Sequence, residues 1–207
     1  MNYLVLATLW IVWCAVHSGM ISLTVTRWLQ RRLGNSYRFY RLFFNITAVV
    51  TFVPVVFFGY WIKGPELFRW DGFAVVPRMV LLALAALLVV AGMRHYDMLH
   101  LFGFRQIMTG ASHAALTETG KLNNTGILGV SRHPWYLAVL ILIWTVHPSL
   151  TLSGLLTNVI LTVYLIVGTV LEERKLIVEY GDEYREYQKA VSMLVPLKWL
   201  KSRARRD

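Results

Sequence analysis

Cysteine is almost absent from this chain, because its 207 residues include only one, Cys14. A single cysteine rules out an internal disulfide and a cysteine-rich metal site. Acidic residues are also few, 11 against 21 lysines and arginines, and the sequence has no G-x-S-x-G turn, no Ser-His-Asp pattern and no set of metal-ligand spacings. We therefore expect no bound metal and no catalytic triad.

The chain is instead rich in apolar residues. Hydrophobic residues make up 57% of it, and the mean hydropathy is +0.52. That is too apolar for an ordinary soluble domain and typical of a polytopic membrane protein. The net charge is +10, and most basic residues flank apolar segments. This pattern indicates membrane lipids as partners and argues against nucleic acid, while the oligomeric state stays open.

Five apolar segments predict an all-α fold, a polytopic helical bundle with about five transmembrane helices, a C-terminal helical hairpin and a cytoplasmic tail helix. The segments cover residues 3–26, 43–61, 79–93, 135–146 and 150–171. We expect one membrane domain over residues 1–207. Its parts are three spans in 1–93, a cytoplasmic or re-entrant loop in 94–130, the hairpin and C-terminal helix in 131–196, and a basic tail in 197–207.

Lysines and arginines predict how the spans are oriented. With the N-terminus outside, 18 of these residues fall in inside segments, and only Lys63, Arg69 and Arg78 fall outside. Such a bias is typical of cytoplasmic loops, so the C-terminus is expected in the cytoplasm. The first inside segment, residues 27–41, is predicted to be a basic loop that turns at Gly34-Asn35.

Polar clusters stand at both ends of the last two apolar segments. G-V-S-R-H-P-W-Y (129–136) precedes the first segment, and E-E-R-K-L-I-V-E-Y-G-D-E-Y-R-E-Y (172–187) follows the second. If the two helices are antiparallel, Arg132-His133 and Glu172-Glu173 meet at one membrane face. For either cluster alone, the charges are explained equally well if the side chains simply extend from the bilayer to water. The two clusters together favour a site.

The residues after Glu172 predict further helical structure. We expect the second helix of the hairpin to leave the membrane, to end near Tyr180 and to break at Gly181. A further helix then covers residues 183–190. Tyr184, Tyr187 and Val191 share one face of it, which packs beneath the site or lies on the bilayer.

These motifs resemble the isoprenylcysteine carboxyl methyltransferase superfamily of membrane enzymes, whose relatives include phospholipid N-methyltransferases and methanethiol S-methyltransferases. The strong match covers residues 125–196. The F-G-F-R-Q stretch (102–106) and the V-S-M-L-V-P-L stretch (191–197) are most similar to the small-thiol branch. The resemblance implies an integral membrane methyltransferase that uses S-adenosylmethionine. Its acceptor is a small thiol or a lipophilic molecule that enters from the bilayer or the cytoplasm.

The resemblance also implies the site residues. Arg132 and Glu172 are the expected catalytic residues, and Arg132 pairs with either Glu172 or Glu173. A carboxylate can accept hydrogen bonds from ribose hydroxyls or an ammonium group, and N–H groups at a helix start can receive a carboxylate. The expected cofactor-binding residues are Leu128, His133, Pro134, Trp135, Tyr136, Glu172 and Glu173.

Two positions depart from the prenyl-cysteine enzymes. Those enzymes carry a tyrosine where this chain has Leu128, and a substrate-binding arginine where it has Gly168. The missing arginine argues against a prenyl-cysteine carboxylate as the acceptor. We assign His17, Arg105 and Gln106 to the acceptor side instead. Phospholipid N-methylation, isoprenylcysteine carboxyl O-methylation and a non-catalytic membrane scaffold with the same fold are the alternatives.

Overall fold

The computed structural model describes residues 1–95, 97–110, 122 and 124–204. Regular structure in this part of the chain is almost entirely helical. Its helices and strands are α1 (Asn2–Ile21), α2 (Leu23–Leu33), α3 (Tyr40–Ile62), β1 (Glu66–Arg69), α4 (Val75–Met93), α5 (Met98–Phe102), α6 (Phe104–Thr109), α7 (Pro134–Thr145), β2 (Ser149–Thr151), α8 (Leu152–Tyr180), α9 (Asp182–Ala190) and α10 (Leu197–Arg203).

Four helical segments are long and apolar enough to cross a membrane, namely Asn2–Ile21, Leu23–Ile62, Gly72–Met93 and Leu152–Tyr180. They confirm the predicted all-α polytopic membrane fold. The remaining predicted span, residues 135–146, forms α7, which has 12 residues and is about 18 Å long. That is shorter than the roughly 30 Å hydrocarbon core of a bilayer, so the count of five spans stays a prediction.

Contacts between residues group the chain into two units that alternate along the sequence. Unit 1 comprises Met1–Phe68, Asp97–Ala115 and Ser149–Tyr164, and unit 2 comprises Arg69–Tyr96, Leu116–Pro148 and Leu165–Asp207. Helix α8 begins in unit 1 and ends in unit 2. The prediction of one domain stays a prediction.

The core of unit 1 joins α1, α3 and the first half of α8. Leu6, Trp10 and Val55 are its buried residues, and Leu156 packs against them. The indole N–H of Trp10 donates to the hydroxyl of Thr157 at 2.9 Å. A buried indole nitrogen needs such a partner, and this one ties α1 to α8.

The basic segment 27–41 is helical, so its prediction as a loop was wrong. It contains most of α2, a 3-10 turn at Gly34–Phe39 and the start of α3. Ser22 caps α2 by accepting a hydrogen bond from the backbone N–H of Val25 at 3.3 Å. The apolar residues between the arginines give α2 an amphipathic pattern, which an interpretation based on charge alone missed. Gly34 does end the helix, with φ 49°.

The apolar stretch after α4 forms two short helices, α5 and α6, in unit 1. The carboxylate of Asp97 accepts a hydrogen bond from the backbone N–H of His100 at 3.1 Å and so caps α5. Arg41 and Asn45 on α3 donate to the carbonyl of Leu101, at 3.3 and 3.0 Å. Whether this stretch is re-entrant stays a prediction. Residues 111–121 of the predicted loop lie outside the described residues.

In unit 2, α4 and α7 pack against each other in antiparallel directions. The indole N–H of Trp135, at the start of α7, donates to the carbonyl of Val89 near the end of α4 at 3.0 Å. At the other end, Nε of Arg78 donates to the carbonyl of Thr145 at 2.8 Å. Ala138 is fully buried between these contacts. A small residue here allows the two backbones to approach closely.

We expect the contact between Gly92 and Trp135 to be sensitive to one added methyl group. A Cβ at Gly92 would lie 2.1 Å from Nε1 and 2.4 Å from Cδ1 of the rigid indole ring. Gly92→Ala should therefore lower the free energy of unfolding by about 1–3 kcal/mol, measured by thermal melting in detergent. Gly168→Ala is the matched control, because a Cβ there meets nothing within 4 Å. Equal melting temperatures for Gly92→Ala and wild type would contradict this packing.

Candidate active site

Arg132 and Glu173 form a buried ion pair in unit 2. Nε of Arg132 donates to Oε1 of Glu173 at 2.6 Å, and Nη2 donates to Oε2 at 2.7 Å. This bidentate arrangement matches the guanidinium fork to both carboxylate oxygens. Each residue is only 7% exposed. The two ends of the predicted hairpin therefore do meet, across 41 positions of sequence.

Glu173 accepts five hydrogen bonds from described residues. Besides the two from Arg132, Oε1 accepts one from Nε2 of His133 at 3.2 Å and one from the hydroxyl of Tyr184 at 3.1 Å. Oε2 accepts one from Nε2 of Gln188 at 2.8 Å. A carboxylate offers about four lone-pair sites, so Glu173 is saturated. Because an ionised carboxylate only accepts, the proton of His133 that faces it lies on Nε2.

The guanidinium of Arg132 is also held by the backbone of the C-terminal segment. Its Nη1 donates to the carbonyl of Gln188 at 3.2 Å and to the carbonyl of Val191. All three nitrogens of Arg132 thus donate to protein groups. A buried charge needs this degree of pairing, because an unpaired one destabilises the fold strongly.

Residues 191–193 hold the backbone of the loop before α7. Ser131 and Ser192 form an isolated parallel bridge. The backbone N–H of Arg132 donates to the carbonyl of Ser192 at 3.0 Å, and that of His133 donates to the carbonyl of Met193 at 3.1 Å. The C-terminal segment therefore holds the backbone of the loop that carries Arg132 and His133.

Two tyrosines on α9 hold the same loop and the ion pair. The hydroxyl of Tyr187 donates to the carbonyl of Leu128 at 2.5 Å, while Tyr184 donates to Glu173. Burial raises the pKa of both phenols above the usual value. The carboxylate of Glu173 raises the pKa of Tyr184 further, whereas the guanidinium of Arg132 offsets part of the rise at Tyr187. Both hydroxyls therefore stay protonated and remain donors well above neutral pH. Of the two alternatives left open for this face, the structure shows that it packs against α8 and the ion pair.

The other predicted cofactor-binding residues, at the start of α7, have different surroundings. His133 precedes the helix and Pro134 occupies its first turn, where the missing N–H of proline is no loss. Trp135 is turned to α4, where its N–H is bonded to Val89. Tyr136 lies edge-on to His133, with ring centroids 5.6 Å apart. Trp135 therefore packs two helices together, whereas Tyr136 lies beside the ion-pair cluster.

Comparison with curated proteins finds several relatives named methanethiol S-methyltransferase. The chain is 31% identical over 157 residues to the methanethiol S-methyltransferase of Pseudomonas deceptionensis, which covers 72% of this chain and 58% of that protein. It is 46% identical over 71 residues to methanethiol S-methyltransferase 1 of Bradyrhizobium diazoefficiens, 34% of this chain and 24% of that protein. The chain belongs to their family.

A longer match within this family supports the same assignment. The methanethiol S-methyltransferase of a Pseudomonas sp. strain is 29% identical over 205 residues, which covers 93% of this chain and 73% of that protein. The chain spans less than two thirds of the length of the first two relatives. No protein-family model and no solved structure matches the chain. The family is isoprenylcysteine carboxyl methyltransferase-like, as the sequence motifs predicted.

Glu172 differs from Glu173 although the two are adjacent. Glu172 is half-buried, and it makes no hydrogen bond or ion pair within the part of the chain that the structure describes. Of the two carboxylates named by the motif, it alone has its oxygens available for a ligand. The sequence left open which glutamate pairs with Arg132, and the structure selects Glu173.

The three residues predicted for the acceptor side all lie in unit 1. Gln106 is buried, and its amide nitrogen lies 3.3 Å from Nε2 of the buried His100. Arg105 forms an ion pair with Asp97. His17 lies among aromatic rings in the membrane-spanning part of unit 1. The residues of the Arg132–Glu173 cluster all belong to unit 2, so the assignment of these three residues to the acceptor side stays a prediction.

Sequence interpretation missed Gln188 and the backbone of residues 191–193. Gln188 lies one position after Tyr187, and its side chain reaches Glu173. The four-residue interval from Tyr184 to Gln188 on a predicted helix was the available signal, since residues four apart share a helix face. Backbone hydrogen bonds leave no such signal, because any residue type can form them.

The different surroundings of the two glutamates predict different effects of the same substitution. Glu173→Gln should lower the free energy of unfolding by about 3–5 kcal/mol, because Arg132 would keep its charge in a buried place without a counter-charge. Glu172→Gln should change it by no more than about 0.5 kcal/mol. Thermal melting of both variants in the same detergent makes the comparison. Equal destabilisation by the two substitutions would disprove the separation of their roles.

Proposed function

We propose that this protein transfers a methyl group from S-adenosylmethionine to a small thiol. Support for the acceptor comes from the family, since the relatives are named for methylation of methanethiol. Support for the donor site comes from the geometry: a saturated Arg132–Glu173 pair fixes two chain segments and leaves the adjacent Glu172 available. That last observation carries the proposal, because it singles out one carboxylate for a ligand.

The available groups fit the donor molecule chemically. Glu172 can accept hydrogen bonds from ribose hydroxyls or from the ammonium group of S-adenosylmethionine. The first turn of α7, which begins at Pro134, presents backbone N–H groups suited to a carboxylate. Tyr136 offers an aromatic face for adenine or for the positively charged sulfonium. Leu128 and Trp135 act indirectly in the proposed site. The backbone of Leu128 and the packing of Trp135 hold the site in position.

Arg132 and Glu173 act in this proposal as positioning residues. Together they connect the loop before α7 to α8, and they hold His133 through its Nε2 proton. Placement within a few tenths of an ångström matters, because in-line displacement requires the two reacting atoms to be close and aligned. The rigid pair supplies that placement without contacting the reacting atoms.

Methyl transfer requires little of the protein beyond binding the two substrates. Bound S-adenosylmethionine would supply an activated methyl group to the sulfur of the acceptor thiol, which would release its proton to solvent, and S-adenosylhomocysteine would leave as the second product. The chain must orient the acceptor, keep water away and receive the products, and none of these tasks requires a covalent intermediate.

We propose the orientation that the charges predict, with the N-terminus outside and the hairpin ends in the cytoplasm. Contacts within each unit support it. Strand β1, after α3, pairs with β2, after α7. Arg78, at the start of α4, donates to the carbonyls at the end of α7. Within unit 2, the Arg132–Glu173 pair lies at the opposite end of α7 from Arg78. We propose that this end of α7 faces the cytoplasm, where S-adenosylmethionine is available.

The binding proposal predicts a selective loss of affinity for S-adenosylhomocysteine. Glu172→Gln should weaken binding by about 10–100-fold, the loss expected for one or two hydrogen bonds to a charged group. Glu179→Gln on the same helix is the control, since Glu179 is exposed and lies two turns away. His133→Ala should also weaken binding. Calorimetric titration of the purified, folded variants decides the matter; unchanged affinity for Glu172→Gln rejects the site.

The acceptor class is tested with a tritiated methyl donor. Proteoliposomes containing the protein are offered methanethiol, ethanethiol, a prenyl-cysteine analogue and phosphatidylethanolamine in parallel. We expect label in the volatile thioether fraction and at least tenfold less in the others. Label in lipid would favour phospholipid N-methylation. Absence of any labelled product, together with absence of S-adenosylhomocysteine binding, would favour a non-catalytic scaffold.

A further inference from the structure

Helix α2 and the 3-10 turn after it connect two membrane-spanning helices of unit 1. They cover Leu23–Leu33 and Gly34–Phe39, between α1 and α3. The hydroxyl of Tyr40, at the start of α3, donates to the carbonyl of Met20, near the end of α1, at 2.7 Å. This bond holds the ends of the two spans together, so the connection leaves and returns at one level of the membrane. Helix α2 has 11 residues, which is too few to cross a bilayer.

The connection carries several positive charges and no negative one. Residues 1–65 contain no aspartate or glutamate. In the described part of unit 1 the acidic residues are Glu66, in β1, and Asp97, which pairs with Arg105. Four arginines of the connection are exposed and their side chains form no hydrogen bond or ion pair with described residues, and we call them the basic surface: Arg27, Arg31, Arg32 and Arg38. The described part of unit 1 therefore does not supply their counter-charge.

Helix α2 separates its basic residues from its apolar ones. Arg27 and Arg31, four positions apart, share one exposed face of the helix, whereas Val25 and Leu29, also four apart, share another face and are half-buried. This amphipathic pattern, with arginines on the polar face, is typical of helices that lie in the plane of a membrane surface. Because α2 joins the ends of two spans, its position agrees with its pattern.

Aromatic rings accompany two of the four arginines. Cζ of Arg32 lies 5.9 Å from the ring centroid of Trp28, and Cζ of Arg38 lies 4.9 Å from that of Phe39. Both rings are exposed. A guanidinium that rests on a ring face keeps its N–H groups available to donate at its edge. Such a surface suits a ligand that carries anionic oxygens next to an apolar part.

We propose that the basic surface binds anionic phospholipid. The guanidinium groups donate to phosphate oxygens, and Trp28 and Phe39 contact the region where the headgroups meet the acyl chains. Clusters of four or more arginines beside a membrane span attract anionic lipid through its surface charge. A soluble anion would leave both rings in water, and nucleic acid is disfavoured because a span holds each end of the connection at the membrane. This inference does not depend on the proposed methyl transfer.

The first test measures lipid affinity of the detergent-purified protein by native mass spectrometry. Wild type should bind phosphatidylglycerol at least tenfold more tightly than phosphatidylcholine. Arg27→Gln/Arg31→Gln should weaken phosphatidylglycerol binding about 25-fold, since each basic residue near an anionic surface contributes about fivefold. Glutamine is a good helix former, so α2 keeps its structure. Arginines that serve only to orient the chain during insertion would leave the affinity unchanged, and that result overturns the proposal.

The matched control removes the same formal charge from another short helix. Arg185 and Lys189 also lie four positions apart on an exposed face, that of α9. Each is bonded to an acidic residue of its own helix, Arg185 to Asp182 at 2.6 Å and Lys189 to Glu186 at 2.7 Å. Arg185→Gln/Lys189→Gln should therefore lower the affinity for phosphatidylglycerol by less than about threefold. An equal loss in both double variants would assign the effect to net charge and overturn the proposal.

Two further measurements separate the charge from the fold and the lipid from other anions. Arg27→Lys/Arg31→Lys should retain phosphatidylglycerol binding within about fivefold of wild type, because lysine also binds phosphate. Loss as large as in the glutamine variant contradicts the charge assignment. Excess inorganic phosphate or a single-stranded oligonucleotide should leave the lipid bound; complete displacement by either overturns the choice of lipid. Variants are compared only after size-exclusion chromatography and thermal melting show that each is folded.

Discussion

The buried pair of Arg132 and Glu173 is the constraint on which unit 2 depends. Two opposite charges in nearly dry surroundings stabilise a fold only if every donor and acceptor is used. The chain meets this condition with side chains from α9 and backbone carbonyls from residues 188–193. As a result, the loop before α7, the end of α8 and the C-terminal segment adopt their conformations together.

This interdependence gives a fixed conformation to the segments that carry the proposed donor site. Backbone groups outside the hydrocarbon core are free to bond to water, so irregular loops there need an internal reason to be ordered. The hydrogen bonds from Arg132 and His133 to Ser192 and Met193 supply that reason. The membrane-spanning helices position the loops, and the ion pair fixes their conformation.

The methyltransferase family and the saturation of Glu173 together favour a division of labour between neighbouring glutamates. One carboxylate is committed to structure, and the next one along α8 points elsewhere because successive residues of a helix are about 100° apart. Two adjacent glutamates in one turn of α8 can therefore have two different roles. A comparable division holds at α7, where Trp135 packs against α4 and Tyr136 lies beside His133.

Local sequence determined the apolar helices, the break at Gly181, the proline start of α7 and the approach of the two polar clusters, because each follows from periodicity, from backbone preference or from the need to return across an apolar layer. It did not determine which glutamate pairs with Arg132, the helical form of residues 27–41 or the participation of Gln188. Those depend on side-chain directions and on which carbonyls a guanidinium reaches. Only the three-dimensional packing sets such distances, since hydrogen bonding is directional and decided within fractions of an ångström.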